Sequence, residues 1–207
     1  MRTLTTQPVL LSDLGNVLLH VDRRPSVEAL ALRLNVDEEV LFPYFEDHQL
    51  HLKLELGELE PDAFIEKVLS ELPTEVRISE PELAEIYGRS FFANDDLIEI
   101  IDSYRTELRV ILLSNTNHLD VTYIEQKFGL ISWPDEAVLS YKIGMRKPNA
   151  DIYSYVKNTF DLNLSQTLFI DDLPENIQAA RQSGIPAQQY ISPAQVDTLL
   201  QDLMKQR

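Results

Sequence analysis

The sequence has no cysteine, one tryptophan, six glycines and no apolar run near the roughly 18 residues that a membrane helix needs. Without cysteine there is no disulfide scaffold, no thiolate nucleophile and no thiolate metal site. The apolar stretch in the N-terminal MRTLTTQPVLLSD is too short for a secretory signal, so a cytoplasmic location is expected. Positive charge is also scarce. Eighteen Lys and Arg face 34 Asp and Glu, for a formal net charge of −16. Nucleic acid and anionic membranes both require a basic surface, and neither is expected as a partner. The chain has no internal repeat and no low-complexity segment.

What is present suffices for one sizeable α/β domain with a small insertion: 207 residues, 44% of them apolar. The charge is uneven. Residues 23–97 hold 18 acidic and 7 basic side chains, so they carry −11 of the total. The same stretch lacks strand-like runs and shows helical spacing instead, as in Val27, Leu30, Leu34 and Phe64, Val68, Leu72, with Pro25, Pro43, Pro61, Pro73 and Pro81 at helix-start or turn positions. A small helical module is expected there.

Outside it, helix and strand alternate. Val9–Leu11 reads as a buried strand ending in Ser12-Asp13, and Val110–Leu113 as one closed by Ser114-Asn115. Ala137–Ser140, Thr167–Ile170 (closed by Asp171-Asp172) and Ala187–Tyr190 complete the set. The helices fall at 97–105, 119–128, 149–160, 175–183 and 193–204, with Gly129 and Gly184 as stops. Such alternation predicts right-handed crossovers and an α/β fold with a doubly wound parallel sheet.

In an open α/β sheet, ligands bind beyond the carboxyl ends of the strands. That rim would gather Asp13, Ser114, Asn115, Asp171 and Asp172, with Lys147 following a strand end nearby. Three clustered carboxylates call for a cation, and hard divalent ions prefer oxygen ligands. A cation with Lys147 and Ser114 suits a phosphoryl group. No Ser/His/Asp signature, glycine-rich dinucleotide loop or P-loop competes with this reading.

SDLGNVLL, LLSNTN, GMRKP and FIDDLPENI, in that order, resemble the four motifs of the haloacid dehalogenase superfamily. The DLGNV form is similar to the sugar-phosphate phosphatases resembling α-glucose-1-phosphatase. The resemblance implies a core of residues 1–19 and 98–207 carrying an inserted helical C1 cap at 20–97. It also implies an Mg²⁺-dependent phosphatase acting on a small phosphorylated metabolite, most simply a sugar phosphate. Asp13 would attack phosphorus and form an aspartyl phosphate. Mg²⁺ would be held by Asp13, the Gly15 carbonyl and the Asp171/Asp172 pair. Leu14, Gly15, Ser114, Asn115 and Lys147 would bind the phosphoryl group, Lys147 by charge, and Pro148 biases Lys147 toward an extended backbone. The alternatives are a halide-releasing dehalogenase and a non-catalytic or weakly catalytic binding or regulatory protein.

One position departs from the pattern. Many family phosphatases carry a second aspartate two residues after the nucleophile, as general acid and base; here it is Gly15. A good leaving group such as an anomeric phosphate could dispense with it, or His20 or Asp22 could substitute. His48, His51 and His118 lack metal spacing and read as surface or rim residues, with Arg146 solvated or at the substrate rim. Asn16 and Asn176 read as local hydrogen-bonding residues. Tyr44, Phe45, Phe64, Phe91 and Phe92 read as helical-module core. Tyr44, Phe45, His48 and Arg89 are the candidates for setting specificity.

Overall fold

The structure, a computed structural model, describes residues 7–45 and 49–205. Strands β1 (Val9–Ser12) and β2 (Leu19–Val21) precede five helices: α1 (Arg24–Leu34), α2 (Glu38–Phe45), α3 (Gln49–Glu55), α4 (Pro61–Glu71) and α5 (Glu80–Gly88). Strand β3 (Phe91–Ala93), helix α6 (Asp95–Ser103), β4 (Arg109–Ser114), α7 (His118–Phe128), β5 (Glu136–Leu139) and the short α8 (Ser140–Ile143) follow. The chain ends with α9 (Ala150–Phe160), β6 (Thr167–Asp171), α10 (Pro174–Gln182), β7 (Ala187–Gln189) and α11 (Pro193–Lys205).

Five strands form one parallel sheet in the order β5-β4-β1-β6-β7. Successive side chains point to opposite faces, and both faces are covered. Leu10, Leu112 and Ile170 pack with Leu97 and Ile101 of α6 and Val196 and Leu200 of α11. Leu11, Ile111 and Phe169 pack on the other side with Ile152 and Val156 of α9 and Ile177 of α10. This is why the strands read as unbroken apolar runs. The chain fills one side of β1 first and then crosses to the other, so Asp13, just past β1, stands at the switch point where α/β sheets open a crevice.

The helices α1–α5 share their own apolar cluster, which includes Val27, Leu30, Phe64, Val68, Leu83 and Tyr87. The expectation of a strand-free stretch at 23–97 is corrected at its C-terminal end, by β3. β2 and β3 pair antiparallel, Leu19 opposite Ala93 and Val21 opposite Phe91, so the helical segment leaves and re-enters through adjacent strands. Asn94 locks the return: its backbone N–H donates to the Leu18 carbonyl at 2.9 Å, and its Nδ2 donates to the Val17 carbonyl at 2.7 Å. Helix α6 accordingly starts at Asp95 rather than Leu97. Ser140 opens a short helix instead of closing a strand.

Helix α5 rests on α7 through Gly88. A Cβ there would lie 2.0 Å from Cγ of Tyr123. Helix propensity favours alanine over glycine by about 1 kcal/mol, whereas overpacking costs about 1–3 kcal/mol. Gly88→Ala is expected to lower the midpoint of denaturant unfolding; an unchanged or raised midpoint would contradict this packing.

Candidate active site at the strand ends

β1 ends at Ser12, and the chain turns at Asp13 because its N–H is held by the Ile170 carbonyl of β6 at 3.0 Å. The Asp13 carboxylate accepts from the Leu14 N–H at 2.7 Å and meets Lys147 Nζ at 2.8 Å. The same ammonium donates to Asp171 Oδ2 at 2.6 Å. Lys147 is buried and its ammonium faces these two carboxylates at the cavity floor. Asn115 fixes the lysine's backbone from both ends: its Nδ2 donates to the Lys147 carbonyl and its Oδ1 accepts from the Lys147 N–H, each at 2.9 Å. The side-chain amide of Asn115 thus holds Lys147 in place with its oxygen and one N–H. The Lys147–Pro148 peptide is cis.

Asp171 and Asp172, adjacent in sequence, have different surroundings. The Asp171 oxygens accept from Lys147, from Asn176 Nδ2 at 2.9 and 3.0 Å, and from the Leu173 N–H at 2.9 Å. Asn176, read as a local hydrogen-bonding residue, is what orients Asp171. Asp172 is half-buried and faces the cavity.

Asp13, Asp171 and Asp172 each offer an oxygen within 4.8 Å of the others. Burial pushes the Asp13 carboxyl up to about 7; Lys147 opposes the rise and Asp171 adds to it. Asp172 is raised too, by burial and then by Asp171. For Lys147, burial works against the charge, but Asp13 and Asp171 outweigh it and raise its pKa. The cluster thus holds more negative charge than one lysine offsets, and all its free donors are oxygens. A hard divalent cation fits this donor set.

A cavity of about 570 Å³ opens over these groups. Asp13, Gly15, Asn115, Lys147 and Asp172 line it on the sheet side. Leu14 and Ser114 are buried beside it without lining it; Ser114 Oγ is turned to the Asn115 carbonyl at 3.3 Å. The opposite wall is Arg23, His51, Glu55 and Arg146. Sequence reasoning missed Arg23 and Glu55 and read His51 as a surface or rim residue; it lines the cavity and is 4% exposed. The signal available was the His51–Glu55 spacing of four on one helix, beside Arg146 next to Lys147. Glu55 is anchored to the sheet side, since its carbonyl oxygen lies 2.7 Å from Ser140 Oγ, which also accepts from the Thr116 N–H at 2.9 Å.

The other candidates lie elsewhere. His20 is exposed, because alternation along β2 turns it away from Val21, which lines the cavity. Asp22 is held by Arg24, with Nη2 to Oδ2 at 2.6 Å. Tyr44 is buried among the helices and donates to Glu71 at 2.7 Å. Arg89 is exposed, and His118 is half-exposed at 3.4 Å from Glu80. His48 and the Phe45 side chain lie outside the described residues.

Comparison with known proteins agrees with this geometry. A family model described as haloacid dehalogenase-like hydrolase matches residues 8–184. A D-ribitol-5-phosphate phosphatase of Bacteroides thetaiotaomicron is 27% identical over 180 residues, covering 83% of this chain and 86% of that protein. A haloacid dehalogenase family enzyme of the same organism, solved with magnesium and inorganic phosphate, superposes with a TM-score of 0.77 at 23% identity, covering 89% of this chain and 94% of that one. A haloacid dehalogenase-like hydrolase of Porphyromonas gingivalis gives 0.74 at 25% identity, covering 94% and 98%. Among the described residues no helix is long and apolar enough to cross a membrane. The five-stranded parallel sheet, the acidic rim around Asp13 and the family match lead to one conclusion: the chain belongs to the haloacid dehalogenase-like hydrolases.

Proposed function

We propose that this hydrolase is an Mg²⁺-dependent phosphatase of small phosphate monoesters, sugar phosphates foremost, working through an aspartyl phosphate on Asp13. The observation that carries the reading is the buried Lys147 ammonium bridging Asp13 at 2.8 Å and Asp171 at 2.6 Å at the floor of the cavity. A carboxylate so held points one oxygen at lysine and keeps the other for attack. Lys147 then offsets charge on the transferring phosphoryl group.

Asp13, the Gly15 carbonyl and Asp172 would hold the metal. Asp171, whose oxygens are already engaged by Lys147, Asn176 and Leu173, keeps the lysine aimed and adds charge to the metal site. Mg²⁺ supplies Lewis-acid polarisation of the phosphoryl oxygens. Ser114, the backbone of Asn115 and the turn at Leu14-Gly15 would take the remaining phosphoryl oxygens. The helical unit at 20–97 would act as the cap that excludes water, over a core of 1–19 and 98–207. The relative's action on ribitol 5-phosphate supports a small polyhydroxylated substrate, as does a cavity of about 570 Å³.

A dehalogenase would bring an anionic acid against three carboxylates without needing a cation, and the donor set argues against it. The test is a panel of sugar and polyol phosphates assayed with Mg²⁺ and with excess EDTA. Turnover on at least one small ester, lost in EDTA and restored by Mg²⁺, is expected; turnover unaffected by EDTA would sink the metal.

Metal binding should also be linked to protons. The folded, metal-free Asp13 holds its proton up to about pH 7, against 3.8 for an unperturbed aspartate. A cation entering below that pH must displace it, so Mg²⁺ affinity should climb by about tenfold per pH unit and level off above 7. Calorimetric titration between pH 5.5 and 8.5 checks this, and a flat profile contradicts it.

A further inference from the structure

Gly15 leaves the proposed reaction without its usual proton donor, and packing does not force that loss. A Cβ at position 15 would meet only Val21 Cγ2, at an ordinary 3.7 Å. Some other group must then serve any substrate whose leaving oxygen needs a proton. Among the described residues that line the cavity, the acidic and imidazole groups beyond the metal cluster are His51 and Glu55.

These two form a unit. His51 Nε2 lies 3.5 Å from Glu55 Oε1, while Arg146 Nη2 holds Glu55 Oε2 at 3.1 Å. Burial works to raise the Glu55 carboxyl, but His51, Arg146 and Arg23 outweigh it and keep it below the usual range, so it is a carboxylate facing the ring. A carboxylate at Nε2 fixes the proton on that nitrogen and orients the imidazole. The other nitrogen, Nδ1, is buried and has no hydrogen-bond partner. Arg23 Nη1, Asp120 Oδ1 and Arg146 Nε are likewise buried and unpaired. Buried polar atoms are nearly always paired, and His51, Arg23 and Arg146 all line the cavity, so this cluster is fitted to a polar group that arrives with the ligand. The charged groups around the ring are Glu55 on its own helix, Arg23 before α1, Arg146 after α8 and Asp120 on α7. Asp120 is raised by burial, with His51 among the groups that oppose the rise, and the carboxylate in contact with the ring is Glu55.

We propose that His51, oriented by Glu55, is the proton donor and acceptor of this hydrolase in place of the missing residue at position 15. This rests on the phosphatase reading above. In the first step an Asp13 oxygen bonds to phosphorus, the bond from phosphorus to the leaving oxygen breaks, and the proton on Nδ1 of the imidazolium passes to that oxygen. In the second, neutral Nδ1 takes a proton from water as its oxygen bonds to phosphorus. The bond from Asp13 to phosphorus breaks, returning the carboxylate, inorganic phosphate and the imidazolium. General acid–base help of this kind is worth about 10²–10⁴-fold, and it is felt most where the leaving group is poor.

The test compares wild type, Asp13→Asn, His51→Gln and, in case glutamine disturbs α3, His51→Asn. The substrates are ribitol 5-phosphate, glucose 6-phosphate, glucose 1-phosphate and p-nitrophenyl phosphate, all with Mg²⁺. The proposal expects kcat on the alkyl phosphates to fall at least 10²-fold in both His51 variants, with KM little changed. With p-nitrophenyl phosphate, release of p-nitrophenol should stay fast in the first turnover. It should then slow, giving a burst, because the phenolate needs no proton but hydrolysis of the phosphoenzyme still needs a base. A rise in KM at constant kcat would make His51 a binding residue and overturn the proposal. So would equal kcat in wild type and variants, or a wild type active on glucose 1-phosphate and p-nitrophenyl phosphate but on neither alkyl ester. Turnover that survives Asp13→Asn, or a wild type inert on every ester, would instead bring down the phosphatase reading, and this proposal with it.

Discussion

Asp13→Asn is expected to reduce turnover of every phosphate ester by about 10⁴-fold or more while making the metal-free protein more stable. The two effects have one source. Asparagine keeps the shape and a contact to Lys147, but an amide oxygen cannot attack phosphorus, and losses of this size follow removal of a nucleophile. The stability gain follows from the raised Asp13 pKa. The folded state binds the Asp13 proton up to about pH 7, the unfolded chain only up to about 3.8. The unfolded chain therefore releases it first, and the stability of the metal-free protein falls as pH rises through that window. At pH 8 the ionised carboxylate is a burden that asparagine removes. Thermal melts in EDTA at pH 5 and pH 8 measure it: the variant should gain over wild type at pH 8 and much less at pH 5. Retained turnover, or a variant less stable than wild type at pH 8, would contradict the account.

Lys147→Met should cost both activity and stability. The side chain fills similar space but leaves Asp13 and Asp171 facing one another in the interior without a cation. Removing one partner from a buried ion pair costs about 3–5 kcal/mol. Loss of a charge aimed at the transition state costs about 10²–10³-fold in rate. The stability deficit should grow as pH rises, because the orphaned carboxylates then ionise, and Mg²⁺ should recover part of it. Denaturant unfolding with and without Mg²⁺ separates these effects. A variant as stable as wild type in EDTA at pH 8 would mean that the lysine does not hold the cluster together.

The rim of the sheet was legible in sequence for a physical reason. Strands buried on both faces are apolar through their middle, so the polar residue that follows marks the carboxyl end, as at Ser12 (just before Asp13), Ser114 and Asp171. The β2–β3 ribbon was not. Each strand has three residues, and its partner lies about 70 positions away, so neither carries a pattern of its own. Nor was the second wall of the cavity. His51 looks like an isolated histidine on a seven-residue helix, and only the fold brings it beside Arg23 and Arg146. The aromatic residues were legible as core, and Tyr44, also a candidate for setting specificity, sits inside the helical unit while charged residues face the cavity. The difference between Asp171 and Asp172 required Asn176, which sequence placed nearby but could not aim.

The central claim is that phosphorus is bonded to Asp13 during turnover, and trapping that intermediate tests it most directly. Enzyme mixed with Mg²⁺ and p-nitrophenyl phosphate is quenched in acid within the first turnover, reduced with borohydride and mapped by mass spectrometry. An acyl phosphate at residue 13 is reduced to homoserine, so the peptide spanning residues 9–17 should carry that change, and Asp13→Asn should not. Turnover with an unmodified residue 13, or with the modification on another carboxylate, would contradict the account.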